Sequence, residues 1–252
     1  MGQISLAETF TTRQTPGDND TITVDSADTY YFDGNQVFDI EGHSNVTLIN
    51  NGNIIAHRTE GTPTELIRCG SGCDETVDAS GSSNFTLTNN GTIWAGEQRV
   101  INLMNATGTI TVTNNAGALI ASGERMGSSH LAGVLDLTGA GSSGDTITIT
   151  NHGTIQNLAI NYAIIGLDNM TSGAIVNFTN TGSINQGTSS VKANMLFDTQ
   201  GSTDEINVTN SGTIQSNRRV FILGGSTNFT LNNSGTIQQN RIADSRTSAE
   251  AA

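Results

Sequence analysis

The chain has 252 residues, a net charge of −13 and one lysine against nine arginines. That balance excludes a general phosphate-binding surface, so no nucleic-acid partner is expected. Only 13% of the residues are charged and 35% are hydrophobic. The apolar residues arrive in short β-branched runs, which describes a folded β protein rather than a disordered chain. No apolar stretch reaches the roughly 20 residues of a membrane-spanning helix.

Residues 1–20 read as an N-terminal cap or leader remnant, and Met1–Gly2 as an expression remnant. The segment 21–40, TITVDSADTYYFDGNQVFDI, reads as an irregular first coil with Ile22 and Val24 inward. A nine-residue phrase then begins to recur: VTLINNGNI at 46–54, FTLTNNGTI at 85–93, ITITNHGTI at 147–155, VNFTNTGSI at 176–184, INVTNSGTI at 206–214 and FTLNNSGTI at 229–237. A looser copy, ITVTNNAGALI, fills 110–120 with a residue inserted before its glycine.

Within FTLTN the apolar residues alternate with threonine, the period-two signal of a strand with one buried face. Continuing that parity turns Asn89 inward, and with it Asn50, Asn114, Asn151, Asn180, Asn210 and Asn233. Buried amides need partners. A row of asparagines stacked rung on rung supplies them, each bonding its neighbour's amide or backbone. The glycine two residues later is expected to provide an unusual backbone conformation at a sharp corner. A second strand follows with an inward isoleucine (Ile54, Ile93, Ile155, Ile184, Ile214 or Ile237), then a third apolar run: 37–40, 100–103, 134–137, 164–167, 195–198 and 220–223.

Like phrases lie a whole unit apart, so they stack in parallel instead of folding back as hairpins. The expected fold is all-β: a single-stranded, right-handed parallel β-helix of about eight coils, each with three short strands, over 21–241. At about 4.8 Å per rung the rod is roughly 35–40 Å long. Residues 242–252 read as a polar, disordered tail.

Cys69 and Cys73, in CGSGC, are close enough for a small local disulfide, which points to an oxidising compartment. Two free thiols or half of a metal site are the competing readings, and no second Cys or His pair stands at ligand spacing.

The TNxGTI phrases at 150–155 and 209–214 resemble the coils of passenger domains from bacterial autotransporters, over about 21–240. The resemblance implies a secreted or cell-surface location, an adhesive function linked to virulence, and a signal peptide and C-terminal outer-membrane translocator barrel in the full-length protein. The expected function is a non-enzymatic, surface-displayed adhesion module. Its corner loops would bind a host or environmental glycan or protein. The longest insertions, between Ile54 and Phe85 and between Leu119 and Ile147, are the preferred contact surfaces; the bland reading is that they are merely tolerated.

Four further patterns bear on function. Arg58, Arg99, Arg125, Lys192, Arg218, Arg219 and Arg241 all fall between second and third strands, a possible basic edge for an anionic glycan, unless each simply pairs with a nearby acid. Aligning AIIGLDNM with ANMLFDTQ puts Asp168 and Asp198 outward on adjacent rungs, with Asp136 nearby. Such a pair would suit a polysaccharide-active enzyme or hold calcium, although solvated acids are common and no cofactor or metal is otherwise indicated. The threonine pairs Thr86 and Thr88, Thr111 and Thr113, and Thr148 and Thr150 form an outward array extended by Thr47, Thr179, Thr209 and Thr230. It resembles the flat faces of ice-binding solenoids, interrupted by Ile49, Asn177, Asn207 and Asn232. Trp94, Tyr30 and Tyr31 are aromatic enough to stack on sugar, or to serve as packing, and the four histidines share no common place in the repeat.

Overall fold

The computed structural model describes residues 3–6, 11–32, 37–56, 76–96, 99–123, 132–158, 163–167, 169–170, 173–186, 197–198, 205–216, 220–223 and 228–239. Among them there is no helix. The chain winds as a parallel β-helix with three faces, every strand pair parallel.

The repeat phrase builds the first two faces. The first holds nine strands: Gln3–Leu6, Thr21–Val24, Thr47–Asn50, Thr86–Asn89, Thr109–Asn114, Thr146–Asn151, Ile175–Asn180, Glu205–Asn210 and Asn228–Asn233. The second holds eight: Thr29–Phe32, Asn53–Ala56, Thr92–Ala95, Leu119–Ser122, Thr154–Asn157, Ser183–Gln186, Thr213–Ser216 and Thr236–Gln239. Alternation of apolar and polar residues decides which side faces the core, and the burial pattern alternates accordingly in Thr146–Asn151 and Thr154–Asn157.

The third face has seven strands: Phe38–Asp39, Val77–Asp78, Ile101–Asn102, Ala132–Asp136, Ala163–Gly166, Phe197–Asp198 and Phe221–Ile222. Here both alternating sets are buried; Val100, Ile101, Asn102 and Leu103 are all inside. Val77–Asp78 is absent from the sequence reading, which had absorbed it into a loop. The insertion after Ile54 therefore ends before Val77, and that rung is a complete coil.

At the N-terminal end Gln3–Leu6 adds a strand beside Thr21–Val24, with Gln3 opposite Thr21, and Gln14 bridges Phe38 on the third face. The segment read as a cap thus continues the coil's hydrogen bonding across two faces.

The core is a set of columns, one residue per rung. Ile22, Leu48, Leu87, Val112, Ile149, Phe178 and Val208 stack on the first face, each no more than 2% exposed. Ile54, Ile93, Ile120, Ile155, Ile184 and Ile214 stack on the second.

The corner glycines correct the sequence reading. Gly52, Gly91, Gly153, Gly182, Gly212 and Gly235 do not adopt positive φ; they are glycine because the corners nest too closely for a side chain. A Cβ on Gly91 would sit on the carbonyl oxygen of Gly52 one rung below, and a Cβ on Gly212 on that of Gly182. The exception is Gly117, at φ +84° with open space around it, in the longer corner 115–118. Among the described residues most left-handed ones lie instead between the third and first faces, at Gly42, Asn45, Gly81, Asn84, Asn105 and Gly139 among others.

Candidate functional site

Connection lengths locate the surface that varies. From first to second face the chain turns in two residues at 51–52, 90–91, 152–153, 181–182, 211–212 and 234–235. From second to third face the connection changes from rung to rung: 57–76, 96–100, 123–131, 158–162, 187–196 and 217–220. One edge of the rod accepts the largest insertions while the first two faces keep their register, and the third face shifts once, between Ala132 and Leu135.

The asparagine stack lies at the other corner, between the first and second faces. Asn50, Asn89, Asn114, Asn151, Asn180 and Asn210 are each no more than 1% exposed, and Asn233 stands exposed at the end of the row. Each Nδ2 donates to the Oδ1 of the next asparagine at 2.7–2.8 Å, and the direction never reverses. The same amides reach the backbone carbonyls of the next corner, as Asn151 does to Ser183 at 3.2 Å. Gly52 N and Gly91 N donate back to the Oδ1 of Asn50 and Asn89. The row holds the corner shut, so it is machinery of the fold. The exposed rows run the opposite way: Asn90 donates to Asn51, Asn115 to Asn90, Asn45 to Asn19 and Asn84 to Asn45.

A second polar column, unread in the sequence, crosses the third face. Asp39, Asp78, Asn102 and Asp136 occupy one register position on successive rungs, each at least nine-tenths buried. Each accepts a hydrogen bond from the backbone N–H two residues on, at Glu41, Ser80, Met104 and Thr138. That is the side-chain turn by which Asp and Asn close a corner. The signal was present as an Asp or Asn, an apolar residue, any residue, then Gly or Asn, at 39–42, 78–81, 102–105 and 136–139. Arg99, buried with the column, donates to Asp136 at 2.8 Å and to Asn102 at 3.4 Å, and Asn102 donates to Asp78 at 3.1 Å. Arg13 pairs with Asp39 at the N-terminal end.

This arrangement corrects two expectations. The alignment that matched Asp168 with Asp198 is two residues out of register, because Gly166 is opposite Asp198 and Asp136 is opposite Gly166. Asp136 and Asp198 therefore stand two rungs apart, about 10 Å, and Asp136 is already neutralised by Arg99. Arg99 in turn is no part of an exposed basic edge. Arg58, Arg125, Lys192, Arg218, Arg219, Arg241, Asp168, Cys69 and Cys73 lie outside the described residues, as does the side chain of Asp198.

A different set of acids comes together at the N-terminal end of the third face. Oxygens of Asp39, Glu41 and Asp78 lie within 4.8 Å of one another. Oxygen ligands of this kind suit a hard cation such as calcium. Two of the three are already engaged, Asp39 by Arg13 and Asp78 by Asn102.

Outside the first face the threonines fall into two columns. One contains Thr21, Thr47, Thr86, Thr111 and Thr148 and passes on to Asn177, Asn207 and Thr230. The other contains Thr23, Ile49, Thr88, Thr113, Thr150, Thr179, Thr209 and Asn232. Outside the second face Tyr31, Ile55 and Trp94 share one column and are each half-buried. Tyr30, by contrast, is fully inside, 5.4 Å from the ring of Phe38, where burial raises its phenol pKa and the nearby Asp28 and Asp25 add to the shift. Of the two described histidines, His43 contacts Asp18 and His152 contacts Thr181.

No family model matches the chain, and neither the curated proteins nor the solved structures give a significant match.

Proposed function

We propose that this chain is a non-enzymatic, surface-displayed binding module of the autotransporter passenger type, which contacts a glycan or protein ligand through the corner segments between its second and third faces. The observation that carries this reading is the contrast in connection length. The two-residue first corner recurs on six rungs, whereas the second-to-third corner ranges from 217–220 to 57–76. A scaffold whose first two faces hold register while one edge varies is suited to presenting recognition loops. The half-buried column of Tyr31, Ile55 and Trp94 stands one residue before the end of each strand at that same edge and offers flat apolar surface to a sugar ring. Secretion, display on an outer membrane, a downstream translocator barrel and a role in adhesion and virulence belong to this proposal and rest on the TNxGTI resemblance.

The test replaces residues 57–75 with a connection of the length found at 96–100 and screens both proteins on a glycan array and on host-cell surfaces. Loss of a binding signal at unchanged melting temperature supports the reading. A signal that survives this replacement and Trp94→Ala refutes it.

A second reading, an ice-binding solenoid, is favoured by the two in-register threonine columns. Their hydroxyls repeat at about 4.8 Å between rungs and about 6.7 Å along a strand. Thermal hysteresis that disappears in Thr113→Lys would support it, and no hysteresis in the unaltered protein removes it.

A further inference from the structure

The second face is the uncharged side of an acidic rod. None of its eight strands contains a charged residue, whereas the first face carries Glu205 and the third carries Asp39, Asp78, Asp136 and Asp198. The chain as a whole has 23 acidic residues against 10 basic ones.

The outer surface of this face is ordered along the axis. Tyr31, Ile55 and Trp94 stack in one column, and the hydrogen-bonded register continues that column through Ala121 to Gln156, Asn185 and Gln215. At about 4.8 Å per rung the steps from Tyr31 to Gln215 span about 29 Å. All of these side chains except Ala121 are half-buried, so they lie against the face and still meet solvent. Beside them a second column, interrupted by Leu119, presents the hydroxyls of Thr92, Thr154, Ser183 and Thr213.

The amides of the first column are not engaged with one another. Gln156, Asn185 and Gln215 make no hydrogen bond to another described residue, whereas outside the first face Asn207 donates to Asn177 at 3.2 Å. Each carboxamide offers two donors and an acceptor. A sugar hydroxyl, which both donates and accepts, complements either group.

We propose that the second face binds a neutral, extended polysaccharide laid along the rod axis, its sugar rings on Tyr31 and Trp94 and its hydroxyls on Gln156, Asn185 and Gln215. This rests on the reading of the chain as a glycan-binding module and extends the contact from the corner segments across a whole face. The aromatic rings take the apolar side of a sugar, and the amides fix its orientation. An anionic polysaccharide fits less well, because these strands hold no cation to pair with it and the net charge of −13 repels it. A protein partner also fits less well, since the large apolar side chains are confined to one end of the column and a file of amides makes up the rest.

The experiment runs the full chain through native gels containing glucomannan or xyloglucan, with polygalacturonate as the charged control, and measures cello-oligosaccharide binding by calorimetry. Retardation by the neutral polymers alone is expected, with affinity rising from cellobiose to cellohexaose. Trp94→Ala should weaken binding at least tenfold, as should Gln156→Ala combined with Gln215→Ala. Asn207→Lys, outward on the first face, should leave it unchanged, and matched melting curves verify folding. Absence of retardation by both neutral polymers overturns the proposal, as does equal retardation by polygalacturonate. So does concentration-dependent self-association in sedimentation that Gln215→Lys abolishes, since a second copy would then occupy the face. If replacing residues 57–75 abolishes binding while the double glutamine variant retains it, the corner segments alone hold the ligand: the function proposed above stands and this inference falls. If the double variant loses binding while the replacement retains it, this inference stands and the corner reading falls.

Discussion

Asn151 donates from Nδ2 to the Oδ1 of Asn180 across a 2.8 Å gap, and neither side chain has any exposed surface. Asn180→Ala would remove that acceptor and also the donor that serves Asn210. Each buried polar group left unmatched costs about 1–3 kcal/mol. The melting temperature should fall by roughly 3–10 °C in calorimetry. Asn233→Ala, at the exposed end of the same row, should change it by less than about 2 °C. Equal effects at both positions would refute a role for burial.

The glycine geometry makes an unusual ordering of two substitutions. Gly91→Ala would drive a Cβ into the Gly52 carbonyl, which is backbone and has nowhere to move. It should cost more than about 4 kcal/mol or prevent folding. Gly117→Ala meets open space and bears only the strain of φ +84°, about 1–2 kcal/mol. Chemical denaturation of the two variants decides; a larger loss at Gly117 would mean that conformation, not crowding, selects glycine at these corners.

Arg99 and Asp136 are 2.8 Å apart with both side chains buried. Removing one partner strands the other's charge, so Asp136→Ala or Arg99→Ala should cost about 3–5 kcal/mol. Arg99→Met combined with Asp136→Leu should recover part of that loss in a double-mutant cycle. Simple additivity of the single losses would show that the two side chains act independently.

Tyr30 supplies a pH test. Burial first, and then the charges of Asp28 and Asp25, raise the pKa of its phenol above the ordinary value of 10.0. Its protonated form is thus favoured in the folded state. That contribution is complete below pH 10 and is lost as pH rises beyond the unfolded value. Tyrosinate absorbance should show a phenol that ionises only as the chain unfolds, and Tyr30→Phe should delete this delayed step. A smooth titration of every tyrosine in folded protein would contradict the burial.

The first two faces were legible because TNxGTI carries both a period-two pattern and a fixed corner, so each copy sets its own register. The third face was legible on six of its seven rungs and missed on one. Val77–Asp78 is a two-residue strand buried on both sides, which leaves no alternation to read. Asp168 was matched with Asp198 because sliding one strand by two residues preserves parity, and pattern alone cannot detect that slip. Only the hydrogen-bonded register puts Gly166 in that place. The glycines were recognised as corner residues, but crowding between successive rungs exists only once the coils are stacked. Arg99 looked like a surface charge because its partner, Asp136, lies on the next coil.

One consequence concerns chemical ageing. Asn51–Gly52 and Asn90–Gly91 are sequences in which the glycine nitrogen can attack the asparagine side chain, expel ammonia and leave a succinimide that hydrolyses to aspartate or isoaspartate. Here Gly91 N is held by Asn89 Oδ1, and the Asn90 carboxamide is held between Asn51 and Asn115. The stacked corner thereby acts as a preservative for its own most perishable bonds, and mass spectrometry after prolonged incubation should find both sites intact in the folded rod and Asn90–Gly91 damaged in Asn89→Ala.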